Sequence, residues 1–413
     1  MIQGANDRIR LGVIGVNGRG RGISSCLAKL PECDIVCICD VDTLAMESCI
    51  GLVRDITGKA PRGEKDLRKV MDAPDIDGVL IATPDHWHVP AAIMAMRAGK
   101  HVYLEKPMSH SPAENEMLLK SEAKYGVVVQ GGNQRRSWPN VVAAIEEVKS
   151  GAIGEVRYAK GWYTKDRPSI GFGKVVPVPE HLDWDLWQGP APREEYRDNI
   201  VHYDWHWFKN WGGGEFLNNG MHFVDLLRWG LGVDYPTKVD SVGGRYYYED
   251  DYQFPDTQLV SYQFGSEASC WMEARSCKWG FVEGFYSGVG FYGTKANLYI
   301  SGGNVYKVQN YKGKVIKDVK SNLTFTDSIT NPSEALDAFH FRNWFDGIKK
   351  GAKLNSPLKE ACVSTQLVQY GNIAQQVGHS LEIDSQTGKI LHPTKEIKRL
   401  WSRKYEKGWE PEI

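Results

Sequence analysis

The sequence predicts an α/β protein: a doubly wound parallel sheet first, then an α+β unit with antiparallel strands. Three observations predict it. Short, wholly apolar runs alternate with helical segments through the first part of the chain. The first of these runs feeds a glycine-rich turn, Gly15-Val16-Asn17-Gly18-Arg19-Gly20. Past residue 131 the pattern changes to apolar–polar alternation and dense aromatics, with seven of the fourteen tryptophans between Trp162 and Trp229.

Residues 9–14 read as a strand entering the turn, and 23–30 as a helix. Residues 35–39 and 79–82 are apolar on both faces, as strands inside a parallel sheet must be. A helix over 90–98 stops at Gly99, and 101–104 is the next strand. Ser111, Pro112 and Glu114 form a capping box with proline at the first helical position, opening a helix that ends near Gly126. Residues 127–130 give one more strand. In the second unit 258–264, 269–274 and 288–292 alternate as antiparallel strands do, with Gly265 and Gly293 at turns. A late helix at 358–377 carries Ala361, Val363, Leu367 and Ile373 at helical spacing and is expected to pack back on the first unit. A chain of 413 residues exceeds what one core usually serves, so two domains are expected, 1–130 and 131–413.

Composition narrows the function. Hydrophobic residues make up 42% and charged residues 24%, ordinary for a globular protein. A net charge of -1 provides no field for nucleic acid or an anionic membrane, and no apolar run reaches the length of a membrane span. A small, soluble substrate is expected, with neither nucleic acid nor membrane as partner. The eight cysteines lack zinc-ligand spacing and read as buried free thiols, which fit a cytoplasmic protein. Residues 1–10 hold no apolar signal core; a periplasmic location follows instead if an export signal was removed.

The glycine turn gains meaning from its context. Glycines let backbone approach a pyrophosphate, whose charge meets amides at the following helix N-terminus. The usual middle glycine is Asn17, a residue that tolerates left-handed backbone, and Gly18 follows it. Asp40 lies twenty positions beyond Gly20, at the end of the second strand. A carboxylate there bonds the ribose hydroxyls of NAD and repels the extra phosphate of NADP. NAD is therefore the expected cofactor, with Gly15, Asn17, Gly18, Arg19, Gly20 and Asp40 around it.

Two further segments leave strand ends, Thr83-Pro84-Asp85-His86-Trp87-His88 and Glu105-Lys106-Pro107, where open parallel sheets place ligands. A third, in the second unit, runs Gly212-Gly213-Gly214-Glu215-Phe216-Leu217-Asn218-Asn219-Gly220-Met221-His222-Phe223-Val224-Asp225. With Ala98-Gly99-Lys100-His101-Val102 and Phe291-Tyr292-Gly293-Thr294-Lys295-Ala296, these make the chain resemble the Gfo/Idh/MocA oxidoreductases, the glucose–fructose oxidoreductase and inositol dehydrogenase group. The resemblance implies a Rossmann domain and a second domain with a large, mostly antiparallel open sheet. It also implies hydride transfer at a C–OH carbon of a sugar, glycoside or cyclitol.

It further implies that Lys106 lies beside the nicotinamide and the reacting hydroxyl. The chemistry agrees, since burial brings a lysine toward working pH and a dehydrogenase needs a proton acceptor at the alkoxide. The family pattern D-x-G-x-H-x-x-D reads here with His222 at the histidine, Asp225 at the last acid and Asn218 in place of the first aspartate. His222 is expected as acid–base, Asn218 only as a positioning group, and Asp225 as a candidate to orient the imidazole. Thr83, Pro84, His86, Trp87, His88, Glu105, Asn133 and Gln134 are expected on the cofactor side. Arg135, Arg136, Tyr163 and His206 join Lys106, Asn218 and His222 on the substrate side. Arg167 and Arg193 have no assigned role, and His340 sits on a segment that resembles a family helix approaching the site. His86 and His88 alone lack the ligands of a metal site, and none is expected.

Three functions compete: an NAD-dependent sugar or polyol dehydrogenase, a glycoside-cleaving enzyme that keeps its NAD, and a silent nucleotide or sugar sensor. An open sheet with an apolar outer face points to a homo-oligomer, dimer or tetramer.

Overall fold

The apolar runs at the start of the chain close into one six-stranded parallel sheet of order β3-β2-β1-β4-β5-β6. In the computed structural model, which describes residues 8–277, 280–323 and 333–413, its elements are β1 (Ile9–Ile14), α1 (Arg19–Ala28), β2 (Cys33–Cys39), α2 (Thr43–Thr57), β3 (Arg62–Glu64), α3 (Leu67–Asp72), β4 (Gly78–Ile81), α4 (Asp85–Arg97), β5 (His101–Leu104), α5 (Pro112–Tyr125) and β6 (Val129–Gly131). The segment 1–10, read above for an export signal, lies largely outside the described residues. Every strand pair is parallel, and strand order reverses between β1 and β4, the place where such sheets open a crevice.

Two helices begin earlier than their apolar periodicity suggests. α1 starts at Arg19 rather than near 23, because the glycine stretch is helical but has no side chains to show a period. α4 starts at Asp85 and carries Pro90 within it. Proline lacks the amide that would bond the carbonyl four residues back. Here that carbonyl, of His86, accepts instead from the Arg403 guanidinium at 2.5 Å, so the helix passes through the proline with its bonding satisfied.

The second unit is built from α6 (Pro139–Lys149), β7 (Val156–Thr164), α7 (Trp184–Gln188), α8 (Met221–Leu231), β8 (Lys238–Gly244), β9 (Thr257–Phe264), β10 (Ala268–Arg275), β11 (Ser287–Gly293), β12 (Asn297–Ser301), β13 (Tyr306–Gln309), β14 (Val315–Val319), α9 (Glu334–Lys350), α10 (Leu358–Val377), β15 (Leu381–Glu382) and α11 (Lys395–Trp401). Its nine strands order as β14-β13-β12-β11-β7-β10-β9-β8-β15, antiparallel except where β10 pairs with β7. One face carries α6, α8 and α10 over a core that includes Met221, Leu227, Val260, Met272 and Phe291. The other face leaves Val242, Leu259 and Trp271 exposed.

The late helices tie the two sheets together. Phe341, Trp344 and Phe345 of α9 pack with α1 and α2 on one side of the parallel sheet. Leu358, Ala361 and Cys362 at the start of α10 pack on its other side, while Val363, Leu367 and Ile373 further along belong to the second core. Each such fully buried apolar side chain is worth roughly 1.5–3 kcal/mol.

Candidate active site

Where the strand-end loops of the parallel sheet meet the second unit lies a cleft of about 560 Å³. Its size suits a small-molecule site. The glycine loop forms one part of it. Gly15 has φ +81°, and a Cβ there would lie 2.7 Å from the Ala82 carbonyl oxygen, so only glycine fits. A Cβ on Gly20 would overlap the Gly15 carbonyl oxygen. Asn17 is exposed and not left-handed; the positive φ of this loop belongs to Gly15, so the substitution needs no conformational allowance. α1 begins at once after Gly18 with no side-chain cap, which leaves its first amides to an anion.

Asp40 closes the adjoining wall. Its Oδ2 accepts from the Val16 amide at 2.7 Å and its Oδ1 from the Asp42 amide at 3.0 Å. Burial raises its carboxyl pKa, and these two amides partly offset that. Each oxygen keeps a lone pair for a ribose hydroxyl. Nearby, Thr83 Oγ1, Asp85 Oδ2 and Gln134 Oε1 are buried in the cleft wall without a partner among the described residues. A glycine cradle, a carboxylate and unpartnered polar atoms in one groove fit a dinucleotide.

Lys106 follows β5 and is directed by Asn218. Its Nζ donates to Asn218 Oδ1 at 2.8 Å and to the Asn218 carbonyl at 3.0 Å. Burial lowers its pKa, against the opposing pull of Glu105 and Asp85. Two N–H bonds of the amine are thus held by Asn218, and the amine lines the cleft. Asn218 and His222 lie one turn apart across a wide helical turn, Phe216–Gly220, that leads into α8, and both line the cleft. Burial, then Arg135 and Lys106, push the His222 pKa well down, so the imidazole is neutral.

Asp225 does not orient that imidazole. Both of its oxygens bond the Arg136 guanidinium at 2.8–3.1 Å, and Ser364 Oγ donates to it at 2.6 Å. Arg136, 4% exposed at its side chain, is thereby held out of the cleft wall. His86 is likewise elsewhere, its Nε2 at 2.9 Å from the Trp187 carbonyl and its ring against Trp187. Asn133 is buried behind the cleft, and His340 bonds the Gly131 carbonyl.

Lining the cleft are Pro84, Trp87, His88, Glu105, Gln134, Arg135, Tyr163 and His206. His88 clasps two loops, Nδ1 against the Pro107 carbonyl at 2.6 Å and Nε2 against the Thr83 carbonyl at 2.9 Å, which fixes the backbone carrying Lys106. Arg19 holds Glu105 and Asp337 at 2.9 and 2.7 Å. Arg135 donates to the Gly302 carbonyl and lies over Trp138 and Phe223.

Two wall residues carry no assigned role in the sequence reading. Asp85 sits inside a quoted motif beside more conspicuous histidines; burial raises its carboxyl to about 7, opposed by Lys106. Tyr203 hydroxyl oxygen accepts from Arg167 at 3.0 Å and from Asn218 Nδ2 at 3.3 Å, leaving its own proton to donate. Behind it Arg167 pairs with the buried Glu215, which also binds Asn219. No motif links these positions; only the fold does.

Comparison with known proteins agrees with this fold. A family model described as "Oxidoreductase family, NAD-binding Rossmann fold" matches residues 9–133, and its companion, "Oxidoreductase family, C-terminal alpha/beta domain", matches 170–383. The chain is 31% identical over 176 residues to a glycosyl hydrolase family 109 protein of Saccharopolyspora erythraea, covering 41% of this chain and 38% of that protein. It is 36% identical over 101 residues to levoglucosan dehydrogenase of Pseudarthrobacter phenanthrenivorans, covering 24% and 26%. The match thus spans less than half the length of either relative. Among solved structures, the oxidoreductase domain protein of Kribbella flavida shares the fold, with TM-score 0.70 and 20% identity over 91% of this chain and 99% of that one. With both parts of its length matched by the paired family models, the chain belongs to the Gfo/Idh/MocA oxidoreductase family, and its first part is an NAD-binding Rossmann fold.

Proposed function

We propose that the chain is an NAD-dependent oxidoreductase acting on a ring hydroxyl or ketone of a sugar, glycoside or cyclitol, with Lys106 as its central acid–base. The observation that carries this reading is the Lys106–Asn218 geometry, a desolvated amine with two of its N–H bonds held by Asn218 at the meeting of cofactor groove and second unit. Gly15, Gly18, Arg19, Asp40, Thr83 and Gln134 would hold NAD, which when bound supplies the hydride acceptor or donor. Lys106 takes the hydroxyl proton. Neutral His222 accepts a hydrogen bond or proton from a neighbouring hydroxyl, and Tyr203 donates one. Tyr163, His206 and Trp205 give flat faces for the C–H side of a ring. The domain boundary is taken at about residue 130, after β6.

A second reading is favoured by the presence of three proton-handling groups, Lys106, His222 and Tyr203, in one cleft, more than simple oxidation needs. In it the ring is oxidised, the neighbouring C–H is deprotonated, the aglycone is eliminated, water adds, and the ring is reduced again, so NAD is regenerated. One experiment separates the two: the purified protein is incubated with NAD and a panel of hexoses, inositols, levoglucosan and aryl glycosides. Stoichiometric NADH formation supports the dehydrogenase, and aglycone release without net NADH supports redox-assisted cleavage. Neither signal, with any member, refutes both.

The exposed Val242, Leu259 and Trp271 support self-association through the open sheet face, as a dimer or tetramer, which light scattering of Trp271→Glu against the parent chain tests. The eight cysteines, all buried and unpaired, support the cytoplasm as the compartment.

A further inference from the structure

Beside Asp40, three donor side chains from two stretches of the chain converge: Asp42 from one, His181 and His202 from the other. One ligand atom of each lies within 4.8 Å of the others. Asp42 Oδ2 is 2.8 Å from His202 Nε2 and 3.5 Å from His181 Nε2. The other oxygen of that carboxylate accepts the amides of Leu44 and Ala45 at 2.8 and 3.0 Å, capping α2. Backbone therefore fixes the carboxylate and leaves one oxygen for a ligand. His181 is fixed as well: its carbonyl accepts the Thr43 amide at 2.9 Å, and the Asp183 amide donates to the Val41 carbonyl at 3.0 Å. The carboxylate is 3% exposed and the two imidazoles 35% and 36%, so solvent reaches the remaining side of the trio.

We propose that Asp42, His181 and His202 form a binding site for a divalent transition-metal ion of the zinc class. Two imidazoles and one carboxylate converging on a point, with solvent open to the remaining position, match the donor set that Zn²⁺ and Co²⁺ accept; Mg²⁺ and Ca²⁺ want an all-oxygen shell. The site joins two units. Asp42 belongs to the nucleotide-binding sheet, and the histidines belong to the stretch between β7 and α8. His202 and Asp40 line the same cleft. An ion held here pins that stretch against the nucleotide-binding unit at the Asp40 end of the cleft and slows dinucleotide release. The clamp, though not the metal site, rests on NAD occupying the cleft.

The test uses the full chain stripped with EDTA. Zinc chloride is titrated by calorimetry and cobalt chloride by visible absorption. One ion per chain is expected, with the d–d bands of a four- or five-coordinate Co²⁺ and without the near-ultraviolet band that thiolate ligation would give. Asp42→Asn retains the helix cap and removes the ligand charge, so loss of binding there is not unfolding. That variant, and the His181→Ala, His202→Ala double variant, are expected to bind the ion ~10–100-fold more weakly or worse. NADH release, followed by fluorescence on mixing with excess NAD, is expected to be slower with Zn²⁺ than with EDTA in the parent chain, and alike under both conditions in the double variant. Absence of saturable Zn²⁺ or Co²⁺ binding, or binding unchanged in the double variant, overturns the site. Release unaffected by a bound ion overturns the clamp.

Discussion

Replacing Asp225 by alanine is expected to remove about 3–5 kcal/mol of stability while leaving the chemistry of the folded protein intact. The magnitude follows from what stays behind. Asp225 and Arg136 are 2% and 4% exposed at their side chains, and three hydrogen bonds of 2.8–3.1 Å join them. Without the carboxylate, a buried guanidinium keeps, among the described residues, only the more distant Glu360, at 3.6 Å, as counter-charge, and Ser364 loses its acceptor. The pH dependence has a definite sign. Burial raises the Asp225 pKa, but Arg136, Arg228 and Ser364 more than offset it and hold the folded value below the ordinary one. Its contribution is therefore complete above the unfolded pKa of about 3.9 and fades as pH falls through the folded value. Denaturant unfolding at pH 7 and again below pH 4 measures this, with parent and variant expected to converge in acid. A loss under about 1 kcal/mol at pH 7, or a fully stable variant without turnover, would refute the structural assignment and return Asp225 to the chemistry.

Three further outcomes are expected. Lys106→Ala retains NADH binding and loses ~10²–10⁴-fold in turnover, the usual weight of a positioned acid–base group; because burial lowers the Lys106 pKa, the acid limb of parent kcat/KM lies below the ordinary lysine value of about 10.4. Asp40→Ala costs NAD about 1.5–3 kcal/mol of binding, the range for hydrogen bonds to a charged group, and costs NADP less, as fluorescence titration of both would show. Asp85 is held protonated to about 7 against an unfolded value of about 3.9, so it contributes stability below that unfolded value and loses it as pH rises through 7. Asp85→Asn should thus gain on the parent in thermal unfolding between pH 5 and 8, and an unchanged difference would argue against a buried, neutral carboxyl.

What the sequence makes legible is what local pattern encodes. Apolar runs, the Ser111–Glu114 capping box and the spacing of the late helix place strands β1, β5 and β9 and helices α5 and α10 within a residue or so. The start of α4 is hidden because the bond that excuses Pro90 comes from Arg403, more than three hundred residues away in the chain. The candidate site divides in the same way. Lys106, Asn218, His222 and Asp40 sit in motifs whose spacing betrays them. Tyr203, with Arg167 and Glu215 behind it, is assembled where the segment after β7, the stretch around residue 203 and the wide turn meet, and no single window of sequence contains that meeting. In sequence Arg136 reads as a substrate-side residue and Asp225 as a candidate to orient the His222 imidazole, because both lie in motif surroundings, yet they satisfy each other in the interior.

Isotope transfer tests the central claim most directly. Once the substrate panel identifies a reacting sugar or cyclitol, that compound, carrying deuterium on the carbon of its reacting hydroxyl, is mixed with the protein and NAD, and the nicotinamide is analysed by mass spectrometry after a single turnover. The account predicts deuterium on the reduced nicotinamide in the parent chain and almost none with Lys106→Ala at equal NAD occupancy. Reaction of the sugar with no label on the nicotinamide, or equal label in the variant, would contradict it.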